Sequence, residues 1–181
     1  AGFGSRDEGW FAAEGLLRGL LAAATRAGAE RVAGTVADLE RDAAGRIRAV
    51  RLGDGTRIAT GWVVNACGPR AAELAGRAGI TLPVEPRKRH VVHFACPEPP
   101  PPDMPLLADP AGMWVRPEGT GFLAGTAPDP DPAADPDDFA DDPDIWETRL
   151  WPALAARVPA FERTRVTGFW TGHYAMNTLD A

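Results

Sequence analysis

The stretch that most constrains the fold is WVVNACGPRAAELAG, residues 62–76. It begins with an apolar, β-rich run, turns at Gly68 and Pro69, and continues as an alanine-rich segment typical of a helix. Because residues 62–66 are apolar nearly throughout, we expect a strand that is covered on both faces. A strand that ends in a glycine turn and enters a helix is where α/β proteins place ligands. The same pattern also suits an ordinary turn in a protein core.

Charge and composition exclude several classes of partner. The 181 residues carry a formal net charge of -6, and nucleic acids or anionic membrane surfaces need clustered cations. Neither is therefore expected as the main partner. No apolar run approaches the roughly 20 residues of a membrane span. The two cysteines, Cys67 and Cys96, have no metal or redox spacing, which favours free thiols in a reducing cytoplasm.

The first half of the chain predicts a helix and a small antiparallel meander before this stretch. Leucines recur at helical spacing within residues 14–26, after a glycine-rich loop at residues 1–10. Charged and apolar residues then alternate in short runs between residues 31 and 59. Turn sequences at residues 42–45 and 53–55 separate these runs, which is typical of half-solvated antiparallel strands.

The second half predicts a sheet. Residues 84–95 form a long strand candidate that contains Arg87, Lys88, Arg89 and His90 in succession. Side chains alternate along a strand, so Arg87 and Arg89 share one face while Lys88 and His90 share the other. Further strands are predicted at residues 113–116, 121–125 and 165–174.

A helix and an acidic loop are predicted between these strands. The helix lies within residues 139–158, where Pro152 must occupy a break or a first turn. Aspartate and proline alternate in residues 128–143, and the acidic residues 129–144 favour a solvated surface loop.

Three stretches, taken in order, match one known family. They are DEGWFAAEGLLRGLLAAATRAGAE (residues 7–30), VVNACGPRAAELA with LPVEPRKRHVVHF (63–75 and 82–94), and LWPALAARVPAFERTRVTGFWTGHYAMNTLDA (150–181). Together they resemble FAD-dependent amine oxidases of the D-amino acid oxidase type, which include glycine oxidase, sarcosine oxidase and dimethylglycine dehydrogenase. The order and spacing of the three stretches carry the resemblance.

The resemblance implies an α+β fold, with an α/β-type FAD-binding edge and a mixed, largely antiparallel substrate-domain sheet with flanking helices. Residues 1–82 would belong to the FAD-binding domain, residues 83–174 to the substrate-binding sheet, and residues 175–181 to a return toward the FAD domain. The family's G-x-G-x-x-G unit is absent from this sequence. We therefore expect an internal piece of a longer enzyme, which alone binds FAD weakly or not at all.

The resemblance also implies the cofactor contacts. Small residues would let the backbone approach the cofactor, and a helix that follows would offer free N–H groups. The implied FAD-lining residues are Val36, Asn65, Ala66, Cys67 and Gly68. Cys67 stands where an alanine is common in the family, and Arg70 where a tryptophan is common. Gly172 occupies the place of the cysteine that binds FAD in some sarcosine oxidases, so we expect non-covalent FAD.

For the substrate, the resemblance implies aromatic walls and a cation that holds a carboxylate. A guanidinium suits this task because it grips a carboxylate with two parallel hydrogen bonds. Arg116 is the preferred candidate, with Arg87 and Arg89 as alternatives, although each also suits a solvated surface position. Tyr174 would wall the substrate, and His173 would be a polar group near the flavin ring or a core histidine. Core or wall positions suit the tryptophans Trp10, Trp114 and Trp170.

The implied reaction is oxidation of the C–N bond of an amine or amino acid. Hydride passes from the carbon next to the amine to flavin N5, and the imine product then hydrolyses. No metal site is predicted, because His90 and His93 form only a weak pair. One alternative is a non-catalytic binding or assembly module that keeps the fold without a complete flavin site. Another is a dehydrogenase that passes electrons to a quinone or a flavoprotein instead of oxygen.

Overall fold

The computed structural model describes residues 9, 11–101 and 103–179. The loop predicted at residues 1–10, apart from Gly9, lies outside the described residues, and so does Trp10. The last two residues of the predicted return segment, 180 and 181, lie outside them as well. Within the described ranges, three α-helices and two antiparallel sheets form the α+β fold that the sequence predicts.

The first lobe is built around a three-stranded sheet of order β1-β2-β3. The predicted turns join its strands, with the Gly45 amide donating to the Asp42 carbonyl at 2.9 Å. Leu39 and Leu52 are buried on one side of the sheet, and Ala49, which pairs with Glu40, is buried on the other side among charged residues. The elements are α1 (Ala13–Arg26), β1 (Val36–Arg41), β2 (Ile47–Leu52), β3 (Arg57–Ala59) and α2 (Ala71–Arg77).

The predicted first helix is confirmed as α1, but its apolar stripe is not buried. Leu16, Leu17 and Leu20 lie on α1 and are all exposed. The helix is held by its own hydrogen bonds and by an ion pair between Arg18 and Glu14, one turn apart. Its apolar side is thus a surface that the rest of the described chain leaves uncovered.

The buried strand predicted at residues 62–66 is wrong. This run follows a bend at Gly61 and pairs with no strand among the described residues. The side chains of Trp62 and Val64 are 90% and 88% exposed. The Thr60 hydroxyl instead donates to the Trp62 carbonyl at 2.8 Å and lies 3.2 Å from its amide nitrogen. Local side-chain bonds of this kind satisfy the backbone where a sheet ladder is missing.

The second lobe is a five-stranded antiparallel sheet of order β5-β6-β7-β4-β8. The long strand predicted at residues 84–95 is confirmed, and it pairs with β7 on one side and β8 on the other. The last strand is three residues longer than predicted. The strands are β4 (Val84–Ala95), β5 (Leu107–Ala108), β6 (Met113–Glu118), β7 (Gly121–Thr126) and β8 (Arg165–Asn177).

One face of this sheet, here called the α3 face, carries the hydrophobic core. The helix α3 (Trp151–Arg157) packs there, preceded by a π-helical turn (Trp146–Leu150) and with Pro152 in its first turn as predicted. The helical region is shorter than the predicted 139–158, because residues 139–143 are not helical. The core comprises Val92, Phe94, Met113, Val115, Phe122, Ala124, Trp146, Leu150, Leu154 and Phe161.

The opposite face, here called the Tyr174 face, is set by the register between β4 and β8. Arg87 pairs with Tyr174, and Lys88 pairs with His173. A bulge interrupts this register, because His93 pairs with Gly168 while Phe94 pairs with Val166. Thr167 lies in the bulge, with its hydroxyl 2.6 Å from His93 Nδ1 and 3.2 Å from the His93 carbonyl oxygen.

Candidate active site

His173 and Tyr174 are neighbours in β8 and therefore lie on opposite faces of the sheet. The His173 ring meets the Phe139 ring edge-on, at 5.0 Å between centroids. Its Nε2 atom is buried and has no hydrogen-bond partner among the described residues. The two rings cannot line one site, and His173 occupies the packed position that the sequence left open as a core histidine.

Tyr174 lies on the accessible side of the sheet. Its side chain is 56% exposed, and the guanidinium carbon of Arg89 lies 5.3 Å from the centre of its ring. Trp170, four residues earlier on the same strand face, is 47% exposed. The Tyr174 face thus presents two exposed aromatic side chains beside a cation, a combination suited to a small polar ligand with an apolar part.

Arg116 shares this face with Tyr174 but lies far from it. Across the sheet, Arg116 pairs with Leu123, Leu123 pairs with His93, and His93 pairs with Gly168. Gly168 lies six residues before Tyr174 in β8. Three strand spacings and six residues correspond to about 25 Å between Cα atoms in an untwisted sheet. Arg116 forms an ion pair with Glu118 and donates to the Pro117 carbonyl at 3.0 Å. The structure therefore does not bring the three predicted substrate residues together.

Arg87 and Arg89, the alternative carboxylate anchors, are both paired with carboxylates. Arg87 contacts Glu85 at 2.9 Å. Arg89 grips Asp131 through two hydrogen bonds of 2.7 Å each, and its side chain is only 12% exposed. Arg89 also donates to the Lys88 carbonyl at 2.8 Å. A carboxylate is thus already held in the two-pronged geometry that a substrate carboxylate would require.

The acidic segment 128–144, here called the aspartate strap, is the irregular and mostly exposed loop that the sequence predicts, but ion pairs that were not predicted tie it to the sheet. Besides the Arg89 pair, Asp138 contacts Lys88 at 2.8 Å, and Asp137 contacts Arg70 at 2.5 Å. The Ala134 amide donates to the Pro86 carbonyl at 2.9 Å. The segment is therefore tied to β4 and, through Arg70, to the turn that precedes α2.

These contacts stabilise the charged form of the strap carboxylates. The hydrogen bond from Lys88 lowers the pKa of Asp138, and the hydrogen bond from Arg70 lowers the pKa of Asp137. Neither pairing is local in the sequence, and the prediction missed both. The available signal was charge complementarity between the basic run in β4 and the aspartate-rich segment about 45 residues later.

His90 is buried on the α3 face beneath the strap. Its Nδ1 lies 2.8 Å from the Thr171 hydroxyl, which in turn donates to Asp141 at 2.8 Å. Burial lowers the pKa of His90, with a further contribution from Lys88. His93 lies on the opposite face, three residues along the strand. In the part of the chain that the structure describes, no group of three His, Cys, Asp or Glu residues is arranged to hold a metal ion.

The turn predicted to line FAD, residues 65–68 and here called the cofactor turn, is formed and lies exposed on the surface. Asn65 braces it, since its Oδ1 accepts from the Cys67 amide at 3.3 Å and its Nδ2 donates to the Ala71 carbonyl at 2.8 Å. Gly68 has a φ of 52°, in the left-handed region that favours glycine. A 3-10 turn (Gly68–Arg70) separates Gly68 from α2, so the helix does not begin at the glycine as expected. Ala66 and Cys67 are exposed between these braces.

Val36 lies next to Ala37, whose carbonyl is hydrogen-bonded to the other end of α2. It is the first residue of β1, half-buried, and pairs with Leu52. Arg77, at the end of α2, donates to the carbonyl of Ala37, and Arg41 donates to the Ala78 carbonyl at 2.7 Å. The cofactor turn lies at the start of this seven-residue helix, which is about 10 Å long. The predicted cofactor contacts thus lie at both ends of α2.

Among the helices of the described residues, none has the length and apolar character needed to cross a membrane. Cys67 and Cys96 are both free thiols, and burial raises the pKa of the half-buried Cys96.

Solved structures of amino-acid oxidases share this fold. Glycine oxidase from Geobacillus kaustophilus superimposes with a TM-score of 0.74 at 24% identity, covering 92% of this chain and 43% of its own. Iminodiacetate oxidase (IdaA) from Chelativorans sp. BNC1 gives a TM-score of 0.71 at 18% identity, covering 90% of this chain and 42% of its own. At these identities the likeness concerns the fold.

Sequence comparison identifies the family. FAD-dependent oxidoreductase domain-containing protein 1 of Xenopus laevis is 35% identical over 210 residues, covering 99% of this chain and 42% of the relative. The Mus musculus protein of that name is 34% identical, covering 99% of this chain and 43% of its own. The chain thus spans less than half the length of these relatives. A family model described as "DAO: FAD dependent oxidoreductase" matches residues 1–181. The chain belongs to this family of FAD-dependent oxidoreductases.

Proposed function

We propose that this chain is part of an enzyme that oxidises the C–N bond of an amine or amino acid, and that the Tyr174 face holds the substrate. The observation that carries the proposal is the pair of exposed aromatic side chains, Tyr174 and Trp170, beside the Arg89 guanidinium. Membership of an FAD-dependent oxidoreductase family and the shared fold of two amino-acid oxidases support the reaction class.

Between these aromatic side chains, no side chain of the described residues covers the backbone of β8. Gly168 and Gly172 lie on the same face of β8, and a side-chain carbon added at Gly172 would meet no atom within 4 Å. Gly125 of β7 is covered by the Trp114 ring of β6, since an added carbon there would approach the indole to 2.8 Å, so the open backbone is that at Gly172. A small ligand can therefore lie close to the backbone here, flanked by aromatic side chains.

The side chains would divide the work by position. Tyr174 would orient the amine through its hydroxyl and its ring, and Trp170 would exclude water from the apolar part of the substrate. His173, on the α3 face, would support β8 from behind. Arg116 stays a candidate carboxylate anchor, but about 25 Å separates it from Tyr174 in an untwisted sheet. One small amine can contact only one of the two.

The residues of the cofactor turn fit the approach of FAD. The turn is exposed, and a carbon added at Gly68 would meet no atom within 4 Å. Asn65, Ala66, Cys67 and Gly68 would hold FAD at the start of α2, and Val36 would contact it at the other end. FAD, when bound, accepts the hydride. Gly172 offers no side chain for a covalent link, so non-covalent binding is proposed.

The two sheets support a division of labour along the chain. Residues 1–82 contain the three-stranded sheet and the cofactor turn, and are assigned to the FAD-binding part. Residues 83–174 contain most of the substrate sheet, and residues 175–181 would lead back toward the FAD-binding part. The two free thiols support a reducing compartment such as the cytoplasm.

The test is flavin absorbance and turnover of the protein expressed from its complete gene. We expect a yellow protein that oxidises at least one member of a panel of N-methyl and D-amino acids. The variants Tyr174→Phe and Arg116→Gln are then compared. The residue that anchors the substrate carboxylate is the one whose substitution raises KM more for substrates with a carboxylate than for amines without one. A folded, colourless protein that turns over none of the panel would contradict the proposal and favour a binding or assembly module.

A further inference from the structure

The Tyr174 ring is held from one side by a cation that is itself immobilised. The Arg89 guanidinium carbon lies 5.3 Å from the ring centroid, within the range of a cation–π contact. Arg87 is the direct cross-strand partner of Tyr174, yet its guanidinium contacts Glu85 instead. The contact with the ring thus belongs to the diagonal neighbour, Arg89.

Arg89 is fixed by the aspartate strap. Its two terminal nitrogens donate to the two oxygens of Asp131, each at 2.7 Å, and one of them also donates to the Lys88 carbonyl. A planar guanidinium bound by two parallel hydrogen bonds cannot rotate without breaking both. The guanidinium plane is therefore set by Asp131, which reaches it from a segment about 40 residues away in the sequence.

We propose that Arg89 is a positioning residue that orients the Tyr174 ring, and that Asp131 of the strap sets the orientation of Arg89. This inference rests on the proposed function, because it assigns the ring a role at the substrate. It places the chain Asp131, Arg89, Tyr174 on the Tyr174 face of the sheet. Arg89 acts through Tyr174 and contacts no reacting atom.

A second ion pair of the strap provides a control variant for Asp131→Asn. Asp138 forms an ion pair with Lys88 at 2.8 Å, and Lys88 lies on the α3 face, opposite to Arg89. Asp138→Asn therefore loosens the strap by one ion pair and leaves the Arg89 contact in place. Asp131→Asn also removes one ion pair, but it releases the guanidinium.

The first experiment is fluorine NMR of the protein labelled with 3-fluorotyrosine. The 181 residues contain a single tyrosine, and the Tyr174 resonance is identified by its loss in Tyr174→Phe. Arg89→Lys and Asp131→Asn are expected to move this resonance by more than its linewidth, because both break the two parallel hydrogen bonds to Asp131 and thereby shift the cation relative to the ring. Asp138→Asn is expected to leave it in place. An unmoved resonance in Arg89→Lys, with circular dichroism showing a folded protein, would overturn the proposal.

The second experiment is a kinetic double-mutant cycle on the flavin-loaded enzyme. Arg89→Lys is expected to lower kcat roughly three- to tenfold with little change in KM, because an ammonium cannot be held by two parallel hydrogen bonds and no longer fixes the cation over the ring. In a Tyr174→Leu background, Arg89→Lys should have no further effect, because the ring it orients is gone. A full additional loss in that background would show that Arg89 acts directly and would overturn the positioning role. A moved resonance without turnover of any amine would overturn the proposed function and leave the Arg89 contact standing.

Discussion

Two glycines on the Tyr174 face meet opposite surroundings and give a matched prediction. A carbon added at Gly121 would lie 2.6 Å from the Phe94 carbonyl oxygen, whereas one added at Gly172 meets no atom within 4 Å. Overpacking of this kind costs about 1–3 kcal/mol. Gly121→Ala should therefore lower the melting temperature by several degrees, at about 2–4 °C per kcal/mol for a chain of this size. Gly172→Ala should leave it unchanged, and equal shifts in calorimetry would contradict the prediction.

At the scale of single residues, the separation of His173 from Tyr174 was available in the sequence. Side chains alternate along a strand, and the same rule correctly divides Arg87 and Arg89 from Lys88 and His90. The contact between Arg89 and Tyr174 was not available, because it depends on which strand lies beside β4 and in which register. Register is a property of pairing between distant segments.

The exposed run 62–66 leads to a prediction about two tryptophans. Trp62 is 90% exposed, and Trp146 is 7% exposed in the core. In the 181-residue chain, Trp62→Ala should change the free energy of unfolding by less than about 0.5 kcal/mol. Trp146→Ala should cost about 3–5 kcal/mol, because it opens a cavity. Urea denaturation of both variants measures the difference, and comparable losses would show that residues 62–66 are buried after all.

The aspartate strap predicts a pH dependence of stability. Lys88 and Arg70 lower the pKa values of Asp138 and Asp137 below their ordinary value, which is about 3.9. Their contribution is therefore complete above that value and is lost as the pH falls through the lowered pKa values. The stability difference between the wild type and an Asp137→Asn, Asp138→Asn variant should be constant from pH 7 to about pH 5 and vanish at lower pH.

Thermal unfolding between pH 2.5 and 7 measures this difference. Asp129→Asn is the control, since Asp129 is an exposed residue of the strap that lies outside the helix and forms no ion pair among the residues that the structure describes. Its stability should follow that of the wild type at every pH. A difference between the double variant and the wild type that persists unchanged at pH 2.5 would rule out the ion pairs as its source.

Elements with local signals were predicted well, and elements that depend on distant partners were not. The strand at residues 84–95 and the turn at 42–45 follow from alternation and turn chemistry within a few residues. The run 62–66 has the composition of a buried strand, but composition does not supply the neighbouring strand that its backbone needs. The ion pairs of the strap were missed for the same reason, since its partners in β4 are 42 and 50 residues away.

For the whole molecule, the cofactor contacts predict weak binding of FAD. The cofactor turn is exposed, and Val36 lies at the other end of α2. No G-x-G-x-x-G segment is present in the sequence to bind the diphosphate. Titration of the 181-residue chain with FAD, followed by quenching of flavin fluorescence, should show no saturation at micromolar concentrations. Tight, saturable binding would show that the turn and Val36 suffice.

An ion pair joins the two lobes, and the composition of the sequence did not predict it. The sequence predicted the α+β class and two parts of different character, and both sheets are present. It did not predict that Arg70, next to the cofactor turn, contacts Asp137 in the strap of the second lobe. This ion pair, at 2.5 Å, links the turn that precedes α2 to the strap.

The bulge at Thr167 contributes to the register that sets which ring of β8 lies on which face. If β8 slid along β4 by a single residue, every side chain of the strand would change sides, and the histidine ring would replace the phenol on the accessible surface. Thr167 opposes such a slide through its contacts with His93. It lies seven residues from Tyr174, about 23 Å along an extended strand. A threonine at one end of the strand thus helps to fix which ring lies on the accessible face at the other end, although it contacts neither ring.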